Sequence, residues 1–341
     1  MKDPIRSLEF KENKLFLIDQ RFLPGKFETF VCSNFREAEF AIAKMVIRGA
    51  PAIGVTAAYG VVLAALEFME FPRHKFFSEL QKACYILSKS RPTAVNLTWS
   101  ITRMQSLIDQ DSEPKQIFER LKFEADKISA EDVMTNKLIG KIGNSIVPQK
   151  SNILTHCNTG SLATVEYGTA LGVVRSAFAS GKAIHVFVDE TRPRLQGAKL
   201  TAWELAQEGI PATLIADNAA ASLIKNNRID LILVGADRIA TNGDSANKIG
   251  TFMLSEIAKS YNTPFYIVAP TSTFDFNLGS GNSIEIEERD PTEITHINGM
   301  QIAPNDFNVY NPAFDITPAS NITAIITEKG IIKPPFIKNI K

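Results

Sequence analysis

From residue 151 onward the chain alternates short apolar runs with amphipathic stretches, and that alternation leaves few folds open. Runs at 152–156, 183–188, 212–216, 230–235, 264–269 and 322–326 have the length of strands. Helical spacing fills about 161–180, 198–208, 218–227 and 246–260. Strands alternating with helices of this length predict βαβ units and a parallel sheet covered on both faces. Ligands of such sheets gather outside the carboxyl ends of the strands. Two runs end there on a reactive side chain. One closes with Thr155-His156-Cys157 and the other with Val234-Gly235-Ala236-Asp237, each followed by a pattern that reads as helical. Cys157 and Asp237 are therefore expected to face one pocket, and a thiol beside a carboxyl suggests proton transfer on a small molecule.

The first half has a different rhythm. Residues 7–31 hold short alternating pieces such as Lys14-Leu15-Phe16-Leu17-Ile18, with Pro24-Gly25 as a turn signal, and predict a small β element. Helical spacing follows in Arg36–Val46, Pro51–Met69, Phe76–Leu87, Thr93–Ile108 and Pro114–Ile139. Pro51 suits a first helical turn, where its missing N–H costs little. The fold class expected is α/β. A mainly helical domain with a small β extension, residues 1–145, precedes a Rossmann-like parallel-sheet domain, residues 146–341. Within the latter, 271–320 is rich in Asn, Pro, Thr and Gly and reads as loop-heavy.

Composition narrows the function. Lys+Arg and Asp+Glu both number 37, so there is no global electrostatic footprint for nucleic acid or membrane. The three cysteines, Cys32, Cys84 and Cys157, show no CxxC spacing, which argues against a disulfide framework or a structural zinc site. The longest apolar stretch, Ile53 to Phe68, is interrupted by Gly54, Thr56 and Gly60 and reads as too short and mixed to span a bilayer. The amino terminus carries no apolar signal region, so a cytoplasmic protein is the expectation. No Walker A sequence occurs, and Gly279-Ser280-Gly281 lacks a third glycine, so neither ATP nor a dinucleotide cofactor is expected.

Several further clusters carry charge or polar groups to strand ends and helix starts. Cys157 precedes Asn158-Thr159-Gly160-Ser161, where helix-start N–H groups would favour a thiolate; the plain alternative is a buried structural cysteine. Asp237 could instead cap the next helix or pair with Arg238. Asp189 to Gly197 sets two carboxylates, two guanidiniums and the amide of Gln196 in one turn, and Arg suits phosphate because its planar fork donates two hydrogen bonds. Asn247-Lys248 is expected to open a helix. Arg48-Gly49-Ala50-Pro51 sets an arginine before a small-residue helix start, and Arg91-Pro92-Thr93-Ala94 is similar, with Thr93 a candidate cap. The four histidines show no metal-ligand spacing. Neighbouring strand residues point to opposite faces, so a His156–Cys157 catalytic pair is not expected.

In this order the motifs Arg48-Gly49-Ala50-Pro51-Ala52-Ile53-Gly54, Arg91-Pro92-Thr93-Ala94-Val95-Asn96, Thr155 to Gly160, Asp189 to Gly197, Gly235-Ala236-Asp237-Arg238 and Asn247-Lys248-Ile249-Gly250 closely resemble the methylthioribose-1-phosphate isomerases. These belong to the superfamily of the initiation factor 2B α/β/δ regulatory subunits. The likeness runs from about Leu17 to Lys333 and includes Ile286-Glu287-Glu288-Arg289 and Tyr310 to Asp315. It implies an aldose–ketose isomerisation of 5-methylthioribose 1-phosphate in methionine salvage, with no metal or other cofactor, by a homodimer. Cys157 and Asp237 match the family's catalytic pair, and Arg48, Gly49, Ala50, Arg91, Gln196, Asn247 and Lys248 its substrate-binding positions. Departures are small: Ser161 replaces a usual Ala, Ala219 and Ala220 follow Asp217-Asn218 where Met is expected first, and Phe10 replaces a frequent Trp. The competing readings are an isomerase of ribose 1,5-bisphosphate or 5-deoxyribose 1-phosphate, and a regulatory subunit without catalysis.

Overall fold

The computed structural model describes residues 5–91 and 95–340. The chain divides into two compact units. One holds the residues up to Lys137 together with Gly160–Leu171, the other Leu138–Thr159 with Gly172–Lys341.

In the first unit, β1 (Leu8–Lys11), β2 (Lys14–Ile18) and β3 (Thr29–Cys32) form an antiparallel sheet in that order. Leu8, Leu15, Leu17 and Cys32 alternate inward, as period-2 patterning requires. Among the described residues five helices follow: α1 (Phe35–Ala43), α2 (Ala50–Phe68), α3 (Arg73–Lys89), α4 (Val95–Gln105) and α5 (Pro114–Asn144). Asn34 starts α1 by accepting a hydrogen bond from the Glu37 N–H, and Glu37 reaches back to the Ser33 N–H at 2.6 Å. The apolar run read from Ile53 lies in α2, whose 18-residue window of mean hydropathy 1.6 is 83% buried. By length and composition α2 could cross a membrane, but this burial makes it a core helix wrapped by its neighbours. Gly54 permits that wrapping, since a Cβ there would meet Ser100 Oγ of α4 at 2.8 Å. Gly60 lies against Leu87 of α3 in the same way. Tyr59, also on α2, donates its hydroxyl to Asp126 on α5 at 2.9 Å.

In the second unit the strands are β4 (Lys150–Thr155), β5 (Ala183–Asp189), β6 (Ala212–Ile215), β7 (Leu231–Val234), β8 (Arg238–Ala240), β9 (Ser245–Lys248), β10 (Phe265–Val268), β11 (Phe274–Asp275), β12 (His296–Ile297), β13 (Met300–Gln301), β14 (Phe314–Thr317), β15 (Ala324–Thr327) and β16 (Gly330–Ile332). The described residues form a seven-stranded sheet in the order β16-β15-β10-β7-β4-β5-β6, parallel except for the β15–β16 edge. Its central strands are aliphatic and buried on both faces, Ile153, Leu154, Leu231 to Val234 and Ile267 among them, as a covered parallel sheet requires. Helices α6 (Ala170–Ala179), α7 (Ala202–Glu208), α8 (Ala220–Lys225) and α9 (Thr251–Ser260) supply crossovers. The chain winds outward from β4 through β5 to β6, then returns to the other side of β4 for β7, β10 and β15. The direction of winding therefore reverses between β4 and β7, which is where a doubly wound sheet opens a ligand crevice.

Three expectations are corrected. The helix read over 246–260 begins only at Thr251, because residues 245–248 pair as β9 between β8 and β14. The pattern after Asp237 is likewise strand β8 rather than helix. The 161–180 helix is a short 3₁₀ turn, Ser161–Ala163, followed after an irregular stretch by α6. Thr93, the candidate cap, lies outside the described residues.

Candidate active site

Cys157 stands two residues beyond β4, buried, with φ of +62°. A non-glycine residue in this left-handed region needs support from its surroundings. Here the support comes from both sides. The Cys157 N–H donates to Thr191 Oγ1 at 2.9 Å, and Thr201 Oγ1 donates to the Cys157 carbonyl at 2.6 Å. Next to it, Asn158 donates its amide to Glu204 at 2.7 Å and to Thr201 Oγ1 at 3.2 Å. Glu204 is in turn paired with Arg175 at 2.7 Å, and Arg175 with Glu208 at 2.7 Å. The thiol thus sits on a backbone held by a buried polar network.

Asp237 stands three residues beyond β7, half-buried, its N–H donating to the Ala246 carbonyl at 2.9 Å. Since β4 and β7 pair directly, with Leu154 opposite Ile232, the ends carrying Cys157 and Asp237 are adjacent at the point of reversal. Arg238 pairs with Asp275 at 3.6 Å. Asn247 is buried on β9 and donates to Thr251 Oγ1 at 3.0 Å. Lys248 donates to the Ala313 carbonyl at 3.0 Å and lies 4.9 Å from the Phe314 ring centroid. Neither opens a helix. The positive end of α9 is occupied by Asp315, which accepts the N–H groups of Gly250 (2.7 Å) and Phe252 (3.0 Å).

The turn after β5 uses its charges locally. Asp189 Oδ2 lies 2.9 Å from His156 Nδ1. Arg192 donates to the Pro193 and Ile294 carbonyls, and Arg194 pairs with Glu293 at 2.6 Å. Asp217 accepts the N–H groups of Thr191 (2.6 Å) and Arg192 (2.7 Å). Gln196 is buried, and its Oε1 has no hydrogen-bond partner among the described residues. Gly197 cannot be anything else, since a Cβ would fall 1.7 Å from the Asp189 carbonyl oxygen. His156 Nε2 lies 2.9 Å from the Ile249 carbonyl, so both ring nitrogens face groups other than the thiol. Burial opposes charge on this ring. The hydrogen bond and charge of Asp189, the charge of Asp217 and the Ile249 carbonyl outweigh it and raise the ring above the ordinary imidazole value.

In the first unit, Gly49 precedes α2 with φ of +96°, and a Cβ there would meet the Ala163 backbone at 2.4 Å. The close approach requires glycine at position 49, between half-buried Arg48 and Ala50. Arg91 stands two residues beyond α3 and is half-buried.

A model described as the initiation factor 2 subunit family matches residues 46–334. The chain belongs to the initiation factor 2 subunit family. Within that family it is 62% identical, over 338 residues and 98% of each chain, to a methylthioribose-1-phosphate isomerase of Thermoanaerobacter sp. (strain X514). The crystal structure of 5-methylthioribose 1-phosphate isomerase from Pyrococcus horikoshii OT3 superposes with a TM-score of 0.94 at 45% identity, covering 100% of this chain and 95% of that one. A crystal structure described as translation initiation factor eIF-2B, subunit delta, from A. fulgidus gives 0.89 at 43% identity over 98% of each chain. The resemblance read from the motifs therefore runs along the full chain.

The sequence did not single out Thr191 or Thr201 as holding Cys157, nor the link between His156 and Asp189. Asp217 at the end of β6 had the one available signal, a carboxyl at a strand end like Asp237. Asp315 was visible only as the last residue of a motif.

Proposed function

We propose that this protein is an aldose–ketose isomerase that converts 5-methylthioribose 1-phosphate to 5-methylthioribulose 1-phosphate. The observation that carries the reading is the pairing of β4 with β7, which sets a thiol and a carboxyl at adjacent strand ends where the winding reverses. The substrate's anomeric oxygen carries the phosphate, so the ring cannot open as a free hemiacetal does. In the reaction the bond from C1 to the ring oxygen breaks and that oxygen takes a proton. The C2 hydrogen moves to C1, and the 2-hydroxyl loses its proton as the carbonyl forms. Atoms and electrons balance without an external oxidant or reductant.

Asp237 is proposed as the general acid/base at the ring oxygen or the 2-hydroxyl. Cys157 either carries the C2 proton as thiolate or walls the site so that hydride shift is favoured. Gln196, whose buried Oε1 is an acceptor without a partner among the described residues, suits a sugar hydroxyl. Arg48, Arg91 and Lys248 are proposed to neutralise the phosphate, with Gly49, Ala50 and Asn247 shaping its surroundings. Residues 1–145 and 146–341 are proposed as the domains, and a cytoplasmic homodimer as the working form.

A regulatory, non-catalytic role has support from the A. fulgidus likeness. Against it stands the presence here of Cys157, Asp237 and Arg48-Gly49-Ala50 together. Turnover decides between the two. Purified protein assayed on 5-methylthioribose 1-phosphate, 5-deoxyribose 1-phosphate and ribose 1,5-bisphosphate should prefer the first. Asp237→Asn and Cys157→Ser should each lower kcat by about 10²–10⁴-fold while the protein stays folded. Near wild-type turnover in both variants would overturn the assignment. Solvent deuterium at C1 of the product would identify proton transfer, and its absence would favour hydride shift.

A further inference from the structure

We propose that His156 is a positioning residue of this reaction, doubly protonated, whose Nδ1–H is held by Asp189 and whose Nε2–H holds the Ile249 carbonyl, so that it ties the Lys248–Gly250 turn to the end of β4. The proposal rests on the isomerase reading and deepens it.

Proton counting carries the argument. Ile249 offers a carbonyl oxygen, which has no proton to give, so the 2.9 Å contact requires hydrogen on Nε2. The 2.9 Å contact from Nδ1 to Asp189 Oδ2 requires another proton between those atoms. The ring and the carboxyl therefore share one proton more than a neutral imidazole beside a carboxylate would hold. The surroundings place it on the ring. Burial raises the Asp189 carboxyl, as do Asp217 and Glu190, while His156 lowers it; the carboxyls of Asp189, Asp217 and Asp315 act together on the ring, so the shared proton is assigned to the imidazole. Asp189 is fully buried and its Oδ1 has no partner among the described residues, so an imidazolium is its compensating charge.

The same atoms could be taken for a cation site, since one donor atom each of His156, Asp189 and Asp217 lie within 4.8 Å of one another. Their engagements speak for a proton instead. Both ring nitrogens are in hydrogen bonds, and Asp217 accepts two backbone N–H groups. The tie has a steric counterpart at Gly250. Its φ is +104°, and a Cβ there would lie 3.0 Å from the His156 ring, so the turn closes over the imidazole. Asp315 grips the same turn from the other side through the Gly250 and Phe252 N–H groups. Lys248, the proposed phosphate ligand, immediately precedes the tied carbonyl, and Cys157 immediately follows the histidine.

Nitrogen-15 NMR of the full-length protein without substrate reads the ring directly. The expected result at pH 7 is a hydrogen on both nitrogens of His156, each protected from exchange, with the assignment made by its loss in His156→Gln. A bare Nδ1 would overturn the proposal. Steady-state kinetics supply the second readout. His156→Ala should raise KM about tenfold or more, the scale of a lost hydrogen bond from a charged donor, with a smaller effect on kcat. His156→Gln can still donate to Ile249 and should recover most of that loss. An Ala variant with unchanged KM, or a Gln variant no better than Ala, would also overturn it. Failure of the wild type to turn over the sugar phosphate would instead overturn the isomerase reading and leave the ring protonation standing.

Discussion

At the scale of single residues, the thiol's position is set by hydroxyls rather than by its own preference. A left-handed non-glycine residue costs about 1–3 kcal/mol, and it persists only where neighbours over-determine it. Thr191 and Thr201 do so for Cys157, from 34 and 44 positions away in the chain. Thr201→Val keeps the shape and removes the hydroxyl that holds both the Cys157 carbonyl and the Asn158 amide. The variant should lose about 1–3 kcal/mol of stability, the cost of leaving buried polar groups unpaired. If the clamp sets the thiol for chemistry, kcat should fall with KM little changed; denaturant titration and steady-state kinetics together check it. Unchanged kcat would make the clamp purely structural. The contrast also explains what was legible. Cys157 and Asp237 were readable because a strand-length apolar run ending on a reactive group is a local pattern. The threonines were not, because a side chain bonding to distant backbone leaves no periodicity behind.

At the scale of elements, the segment carrying Asn247 and Lys248 was the clearest misreading. Residues 246–260 fit one amphipathic helix, yet 245–248 form a strand paired on both edges. Tertiary pairing outweighs propensity in so short a run. The helix then has to start at Thr251, where Gly250 offers no side chain to cap it. Asp315 on β14 takes that role, accepting two of the N–H groups that a helix start leaves without partners. Removing a cap of this kind costs about 0.5–2 kcal/mol. Asp315→Ala should therefore lower the melting temperature, and because the same carboxylate braces the turn after Lys248, KM for the sugar phosphate should rise with it. Asp315→Asn keeps one acceptor and should fall between Ala and wild type. A melting temperature that drops without any change in KM would separate the cap from the site.

At the scale of the whole molecule, the α/β class was legible because helical and strand periodicities occupy different stretches of the chain. The order of strands was not. Alternation predicts crossovers, and right-handed crossovers can place β7 on either side of β4 without altering any local pattern. Only packing in three dimensions decides it, and with it the adjacency of the two reactive ends. The helical half holds a global property that the sequence hides equally well. Cys32 and Cys84 are both fully buried, and burial pushes each thiol up to about 12 from an ordinary 9.0, helped at Cys32 by the charge of Glu37. Tyr59 is raised in the same direction, by burial first and then by Asp126. Between pH 9 and 12 the folded chain therefore keeps protons that the unfolded chain releases. Unfolding then releases protons, so the contribution of these groups to stability is level below about pH 9 and falls as pH rises above it, by roughly 1.4 kcal/mol per pH unit for each such thiol. Cys84→Ala leaves a small cavity and should be less stable below pH 9, yet its slope above pH 9 should be shallower by about that one increment, so the gap to wild type narrows as pH rises. Urea unfolding at pH 8, 9 and 10 measures both slopes. Equal slopes for variant and wild type would show that the Cys84 thiol ionises in the folded chain as readily as in the unfolded one, and that burial does not govern it.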